Sequence, residues 1–475
     1  MCLYYLLPIP DKHTIMIHMT FEEAAHLLKA TINKAHPGQT FHGLSIDTRT
    51  LVPKNAFIAL KGTTTDGHDF LEIAKNQGAA VAIVTHPLAS TLPQLIVPDV
   101  VDAMAKLSFA WRKTFHLPAI AVTGSNGKTT TKNIIANIFI AACKGDAAQV
   151  LATAKSFNNH LGLPLTLSQL NKMHRFAVIE MGMNHFGEIK ALTQLAEPSV
   201  AIITNAAAAH LEGLGDIAGV ARAKAEIFVG LQENGVAILN RDDTFFHEWQ
   251  KAASPHRIIS FGFHPEASVR ATCHTETPEQ YFTLHTPKGD IAVHSPLLGK
   301  HNVQNALAAT AAALAVGIDL NSIAAGIQNT LSAPGRLHRH HLQNGAVIID
   351  DTYNANPYSL QAAIETLATF KNKRILILGD MHGLGQEAEA WHKTIGEKIR
   401  AQGIDALFTY GNWSYQATRQ FGKDALHFEK QSDLINAVKP LVQDKTTLLV
   451  KGSRVMQMEK IIAALLDQTG VIDGH

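Results

Sequence analysis

Short apolar runs alternate with amphipathic stretches along most of the chain, and the two periods predict different elements. Residues 117–122, Phe176–Glu180, 200–205 and Val236–Asn240 are nearly continuous apolar runs, the pattern of strands buried on both faces. Residues 133–140 and the Ala-rich 306–316 have helical patterning. Strand and helix alternation across 116–334 predicts a mostly parallel sheet. Within it, 256–298 differs: short alternating runs at 257–260, 281–284 and 291–293 predict an antiparallel insert. Pro334-Gly335-Arg336 marks a break. Beyond it, strands at 346–350, 374–378, 406–409 and 447–450 with helices between them predict a doubly wound sheet. Ahead of the central unit, a helix at 21–30 and strands near 56–60 and 80–84 predict a smaller mixed α/β unit. The fold class is α/β in three domains: 1–115, a central 116–334, and a Rossmann-like 335–475.

Between the 117–122 strand and its helix lies Thr123-Gly124-Ser125-Asn126-Gly127-Lys128-Thr129-Thr130. A Gly-rich turn that opens a helix with Lys-Thr is a phosphate cradle. Backbone N–H groups point at anionic oxygens, the lysine adds charge, and the threonine hydroxyl can ligate Mg²⁺. The usual loop spaces its two glycines by four residues. Here Val122 occupies the first glycine position and Gly124 comes two places later, so the loop is a shortened variant.

Composition narrows the partners. The 475 residues suit about three domains, and 46% hydrophobic content supplies their cores. A net charge of +1 with no basic stripe argues against nucleic acid and against an anionic membrane surface. No apolar stretch reaches the ~18 residues of a membrane span, and the opening Met1-Cys2-Leu3-Tyr4-Tyr5 lacks a basic leader. Three cysteines, Cys2, Cys143 and Cys273, show no metal spacing, which fits a reducing cytoplasm.

Several polar groups fall at strand ends, where ligands bind in such sheets. Glu180 closes an apolar run and suits Mg²⁺ beside a phosphate loop; alone it could equally be a solvated acid. His210 and Lys224 follow the next strand. Asn240-Arg241-Asp242-Asp243 ends another, where a simple turn is the alternative. Asn302 opens a helix and suits either a purine edge or a cap. Asp351-Thr352-Tyr353-Asn354-Ala355-Asn356-Pro357 and Lys451-Gly452-Ser453-Arg454 end strands of the third unit, and Arg336 sits at the break, poised to reach a phosphate if the units close.

Together these residues resemble the Mur ligase family of ATP-dependent amide-forming enzymes, from about Gly43 to Glu459. Three stretches look like the member that adds D-alanyl-D-alanine: Ser45-Ile46-Asp47-Thr48-Arg49 with Asp66-Gly67-His68; Asn158-Asn159-His160-Leu161-Gly162; and the Asp351–Pro357 run. The Asp-Asn-Pro-Arg motif of the diaminopimelate-adding sister is not found. The resemblance implies a catalytic set of Lys128, Glu180, His210, Lys224 and Arg336. It implies ATP on Gly124, Ser125, Asn126, Gly127, Lys128, Thr129, Thr130, Asn302, Arg336 and Asp351. Two Mg²⁺ ions would lie at Thr129, Glu180, His210 and a carbamylated Lys224. UDP-N-acetylmuramoyl-tripeptide would be held by Ser45, Asp47, Arg49, Asn158 and Asn159. D-alanyl-D-alanine would lie near Tyr353, Asn354 and Asn356. A cytoplasmic monomer is expected. The chain departs from the family at three places: His382-Gly383-Leu384-Gly385 follows Gly379-Asp380-Met381, Ala225 follows Lys224, and Ser156 stands where Asn is common. A sister ligase and a nucleotide-driven switch are the competing readings; only the ligase requires ATP turnover gated by two further substrates.

Overall fold

The computed structural model describes residues 16–34, 38–154, 156–209, 211–274, 277–469 and 471–472. The central sheet has six strands in the order Arg257–Phe261, Val236–Asn240, Val200–Ile203, Ala119–Thr123, Phe176–Glu180 and Val150–Ala152. All are parallel. The strand earliest in sequence lies in the interior, so successive strands are added on both sides of it. Ligands bind at such a switch point, outside the carboxyl ends of the strands.

Why the strands read as unbroken apolar runs is now plain. Ile120 and Val122 face one core with Ile134, Ile138, Val303 and Leu307, while Ala119 and Ala121 face the other with Ile189 and Leu192. Helices therefore cover both faces.

Residues 257–260 correct one expectation. They belong to a parallel edge strand paired with Val236–Asn240, outside the antiparallel insert. Ile259 and Phe261 join one core and Ile258 packs on the other, so this run too is covered on both sides. The insert is a separate antiparallel sheet of Arg270–Cys273, Gln280–Thr286 and Gly289–Ser295.

The third sheet runs Ala425–Phe428, Ala406–Tyr410, Lys373–Gly379, Thr446–Lys451, Val347–Asp351, His338–Leu342, Val471–Ile472. Its first five strands are parallel and the last two pair antiparallel. Separate hydrophobic cores cover its two faces, as a doubly wound sheet requires. The first sheet is smaller and mixed: Thr31–Asn33 pairs antiparallel with Gln94–Ile96, and the remaining pairings to Leu44–Ser45 are parallel. Helix Val100–Arg112 anchors it to the central unit, with Trp111 Nε1 donating to Leu170 O at 2.9 Å and Arg112 Nε to Ala196 O at 3.0 Å. No helix among the described residues is long and apolar enough to cross a membrane.

Candidate active site

The phosphate-loop sequence leaves the strand Ala119–Thr123 and enters the helix Lys128–Ala142. Two glycines are required by contact as well as by backbone. Gly127 has φ +82°, and a Cβ there would lie 2.2 Å from Asn305 Oδ1. At Gly124 a Cβ would lie 1.7 Å from Thr204 Oγ1. The neighbouring strand end holds the loop down. Ser125 N donates to Asn205 O at 2.9 Å, Asn126 N to Asn205 Oδ1 at 3.0 Å, and Thr204 Oγ1 to Asn126 O at 2.6 Å. No side chain caps the helix at Gly127, so its first-turn N–H groups keep their capacity for an anion.

Around this turn sit buried charges. Lys128 Nζ donates to Gly124 O at 2.6 Å, curling over the loop. Burial lowers its pKa, Glu180 opposes that shift, and Arg336 adds to it. Glu180 is 2% exposed. Its carboxylate accepts from Thr129 Oγ1 at 2.9 Å and from Asn158 Nδ2 at 2.8 Å. Lys132 lies one turn beyond Lys128, is itself buried, and donates to Thr153 O at 2.6 Å. Lys224 is 2% exposed, so it is not a solvated helix residue. Burial pushes its pKa well down, Lys128 pushes the same way, and Asp243 opposes. His210 falls outside the described residues.

The third unit faces this loop. Lys451 Nζ, 2% exposed, donates to Asp351 Oδ2 at 2.5 Å and to Asn354 O at 3.0 Å. Asp351 Oδ1 accepts from Leu337 N at 3.1 Å. The Arg336 guanidinium lies over the Tyr353 ring, 4.1 Å from its centroid. Asn356 caps helix Pro357–Ala368, and its Nδ2 reaches across to Asn126 Oδ1 at 2.8 Å. Asn302 spends both ends of its amide locally: Nδ2 donates to Leu298 O, just ahead of its helix, at 2.8 Å, and Oδ1 accepts from Asn305 Nδ2 within it at 2.9 Å.

A cavity of about 660 Å³ opens between the two units. Gly124 to Lys128, Thr130, Asn158, Asn159, Glu180, Lys224, Asn302, Arg336, Asp351, Tyr353, Asn354, Asn356 and Lys451 all line it. Ser45, Asp47 and Arg49 do not. Their loop is closed on itself, with Arg49 Nη2 on Asp47 Oδ2 at 2.6 Å and Ser45 Oγ donating to Asp47 O at 3.0 Å. Sequence reasoning missed His301, Gln304, Asn305 and Tyr358 as cavity residues. The spacing of Asn302 and Asn305, one helical turn apart, was the available signal for one of them. Among the described residues no group of three or more His, Cys, Asp or Glu side chains is arranged to hold a metal ion.

Known proteins share this architecture. The "Mur ligase family, catalytic domain" matches residues 40–131, the "Mur ligase middle domain" 122–313, and the "Mur ligase, glutamate ligase domain" 335–454. The UDP-N-acetylmuramoyl-tripeptide–D-alanyl-D-alanine ligase of Escherichia coli (strain K12) is 40% identical over 456 residues, 95% of this chain and 99% of that protein. The protein of the same name from Bacillus subtilis (strain 168) is 35% identical over 95% of this chain and 99% of its own length. The crystal structure of MurF from Acinetobacter baumannii superposes with a TM-score of 0.88 at 34% identity, covering 96% of this chain and all of that one (100%). MurF ligase from Thermotoga maritima, in complex with ADP, gives 0.78 at 25% identity, covering 90% and 97%. With all three of its units matched and relatives alike over nearly its whole length, this chain belongs to the Mur ligase family.

Proposed function

We propose that this protein joins D-alanyl-D-alanine to UDP-N-acetylmuramoyl-tripeptide at the expense of ATP, releasing ADP and phosphate. The observation that carries this reading is the shared cavity. It brings a phosphate loop, a buried carboxylate and the polar strand ends of a second α/β unit to one place. The names of its relatives supply the substrates.

A carboxylate resists attack by an amine because oxide is a poor leaving group. Transfer of the γ-phosphoryl group to the tripeptide carboxylate gives an acyl phosphate and ADP. The amine of D-alanyl-D-alanine then attacks the carbonyl carbon. As the C–N bond forms, the C–O bond to phosphorus breaks, phosphate leaves with the electron pair, and the amine proton passes to solvent. The first step brings two anions together, and Lys128 with Arg336 offset their repulsion. Water would intercept the acyl phosphate, so closure of the third unit over the central one protects it.

Mg²⁺ fits the residues present. Thr129 and Glu180 present a hydroxyl and a carboxylate oxygen 2.9 Å apart beside the loop. Mg²⁺ takes few protein oxygens and fills its shell with water and substrate phosphates, so the lack of a closed cage among the described residues suits it. Thr129 and Glu180 would hold it, with His210 and Lys224 toward a second ion. When bound, it neutralises phosphate charge. Carbamylation of Lys224 is favoured by its burial, which pushes the pKa of its amine well down and so shifts it toward the neutral, nucleophilic form. CO₂ adds to the neutral amine, a proton is released, and the side chain becomes an anion able to hold a second cation. Activity that falls in CO₂-depleted buffer and returns with bicarbonate supports this; indifference to both sinks it.

Within this reading, 1–115 holds the UDP end through Ser45, Asp47 and Arg49, and 116–334 binds ATP and, through Asn158 and Asn159, the muramoyl peptide. The 335–475 unit presents the dipeptide near Tyr353, Asn354 and Asn356. The enzyme works as a cytoplasmic monomer. Steady-state ADP release tests the coupling: ATP alone should turn over slowly, and both acceptor substrates together should raise the rate at least about 100-fold. Equal ADP release without them would favour a nucleotide-driven switch.

A further inference from the structure

Hydrogen-bond bookkeeping across the cleft fixes the orientation of two amides. Asn356 caps its helix by accepting from Ser359 N at 2.8 Å, so the atom facing Ser359 is its oxygen. Its Nδ2 is therefore the atom that meets Asn126, 2.8 Å away, and a donor there demands an acceptor in return. The atom of Asn126 on that contact must be Oδ1. Its Nδ2 then points elsewhere, and it is a buried donor with no partner in the chain. The rest of Asn126 is held, since its N–H goes to Asn205 Oδ1 and its carbonyl accepts from Thr204 Oγ1 and Asn205 Nδ2. Asn126 belongs to the phosphate loop and lines the cavity. A buried donor left open at such a place calls for an acceptor from outside the chain.

We infer that Asn356 is a positioning residue for the nucleotide: by donating to Asn126 Oδ1, it turns the Asn126 amide so that its N–H₂ group donates to a nucleotide phosphate. The phosphate cradle is then completed by the third unit. With that unit withdrawn, Asn126 loses the contact that fixes its amide, and the cradle loses an oriented donor. Closure and nucleotide binding thus reinforce each other through one pair of side chains. This rests on the ATP reading given above.

Titration of the full-length wild type with a non-hydrolysable ATP analogue and Mg²⁺ tests that reading first, because absence of binding there would defeat the ATP assignment itself. Asn356→Asp keeps a capping oxygen but, ionised, cannot donate to Asn126, and Asn356→Ser keeps a neutral capping oxygen on a side chain too short to reach Asn126. Each should weaken analogue binding about tenfold, the size of one hydrogen bond to a charged group, with an unchanged melting temperature and unchanged binding of UDP-N-acetylmuramoyl-tripeptide. In an Asn126→Ala background, the neutral Asn356→Ser should weaken binding no further, because Asn356 acts only through Asn126, whereas Asn356→Asp also brings a repelling charge. Wild-type binding that neither Asn356 variant weakens would overturn the inference. So would an Asn356→Ser loss that adds fully to that of Asn126→Ala. If Asn356→Asp unfolds, the Asn356→Ser cycle decides by the same criteria.

Discussion

Lys128 is the residue on which phosphoryl transfer depends most in this account. Its ammonium curls over the loop, donating to Gly124 O at 2.6 Å, which places it beside the phosphate cradle. Lys128→Ala should lower ligation by at least about 100-fold and leave sugar-nucleotide binding nearly intact. Isothermal titration beside a rate assay checks both; loss of sugar-nucleotide binding as well would point to a folding defect. His301 makes a different prediction. Burial pushes its pKa down to about 4, against 6.5 in the unfolded chain. Between those values the unfolded chain takes a proton that the folded one refuses, so stability falls as pH drops from 6.5 toward 4. His301→Asn removes this cost. From pH 7 to 4.5 it should lose on the order of 2 kcal/mol less stability than the wild type, read by urea unfolding at each pH. Equal losses would contradict the burial argument. His301 could not be recognised in the sequence, because nothing local distinguishes a histidine that the third unit will cover. Lys128 could, because strand, glycine turn and helix are contiguous.

At the scale of elements, the course of the loop depends on glycines for which no other residue fits. Gly127→Ala must adopt φ near +82° and push its Cβ against Asn305 Oδ1. The cost should be about 2 kcal/mol or more, seen as a lower urea midpoint, together with weakened nucleotide binding. Wild-type behaviour in both would mean that the loop has room the geometry denies it. Most strands were legible because a parallel sheet under two helical layers writes continuous apolar runs. The misassigned run 257–260 shows the limit of that signal. Its mixture of polar and apolar residues reads as alternation, whereas its true partner, Val236–Asn240, is identified only by pairing. Short strands such as Thr31–Asn33 and Ala425–Phe428 carry too few residues for either period to emerge.

The whole molecule adds what no local pattern contains: which strand ends face one another. Asp351 and Lys451 are a hundred positions apart (|i−j| = 100) yet form a buried pair at 2.5 Å. Asn126 and Asn356 are 230 apart and touch across the cleft. Sequence reading could place each at a strand or helix end, but their meeting follows from topology and from how the third unit docks. Ser45, Asp47 and Arg49 are not among the residues that line the cavity. The most direct test of the account is mass spectrometry of a reaction containing the protein, ATP, Mg²⁺, UDP-N-acetylmuramoyl-tripeptide and D-alanyl-D-alanine, with each omitted in turn. The account predicts UDP-N-acetylmuramoyl-pentapeptide in the complete mixture alone. A folded, ATP-binding protein that yields no pentapeptide there would contradict it.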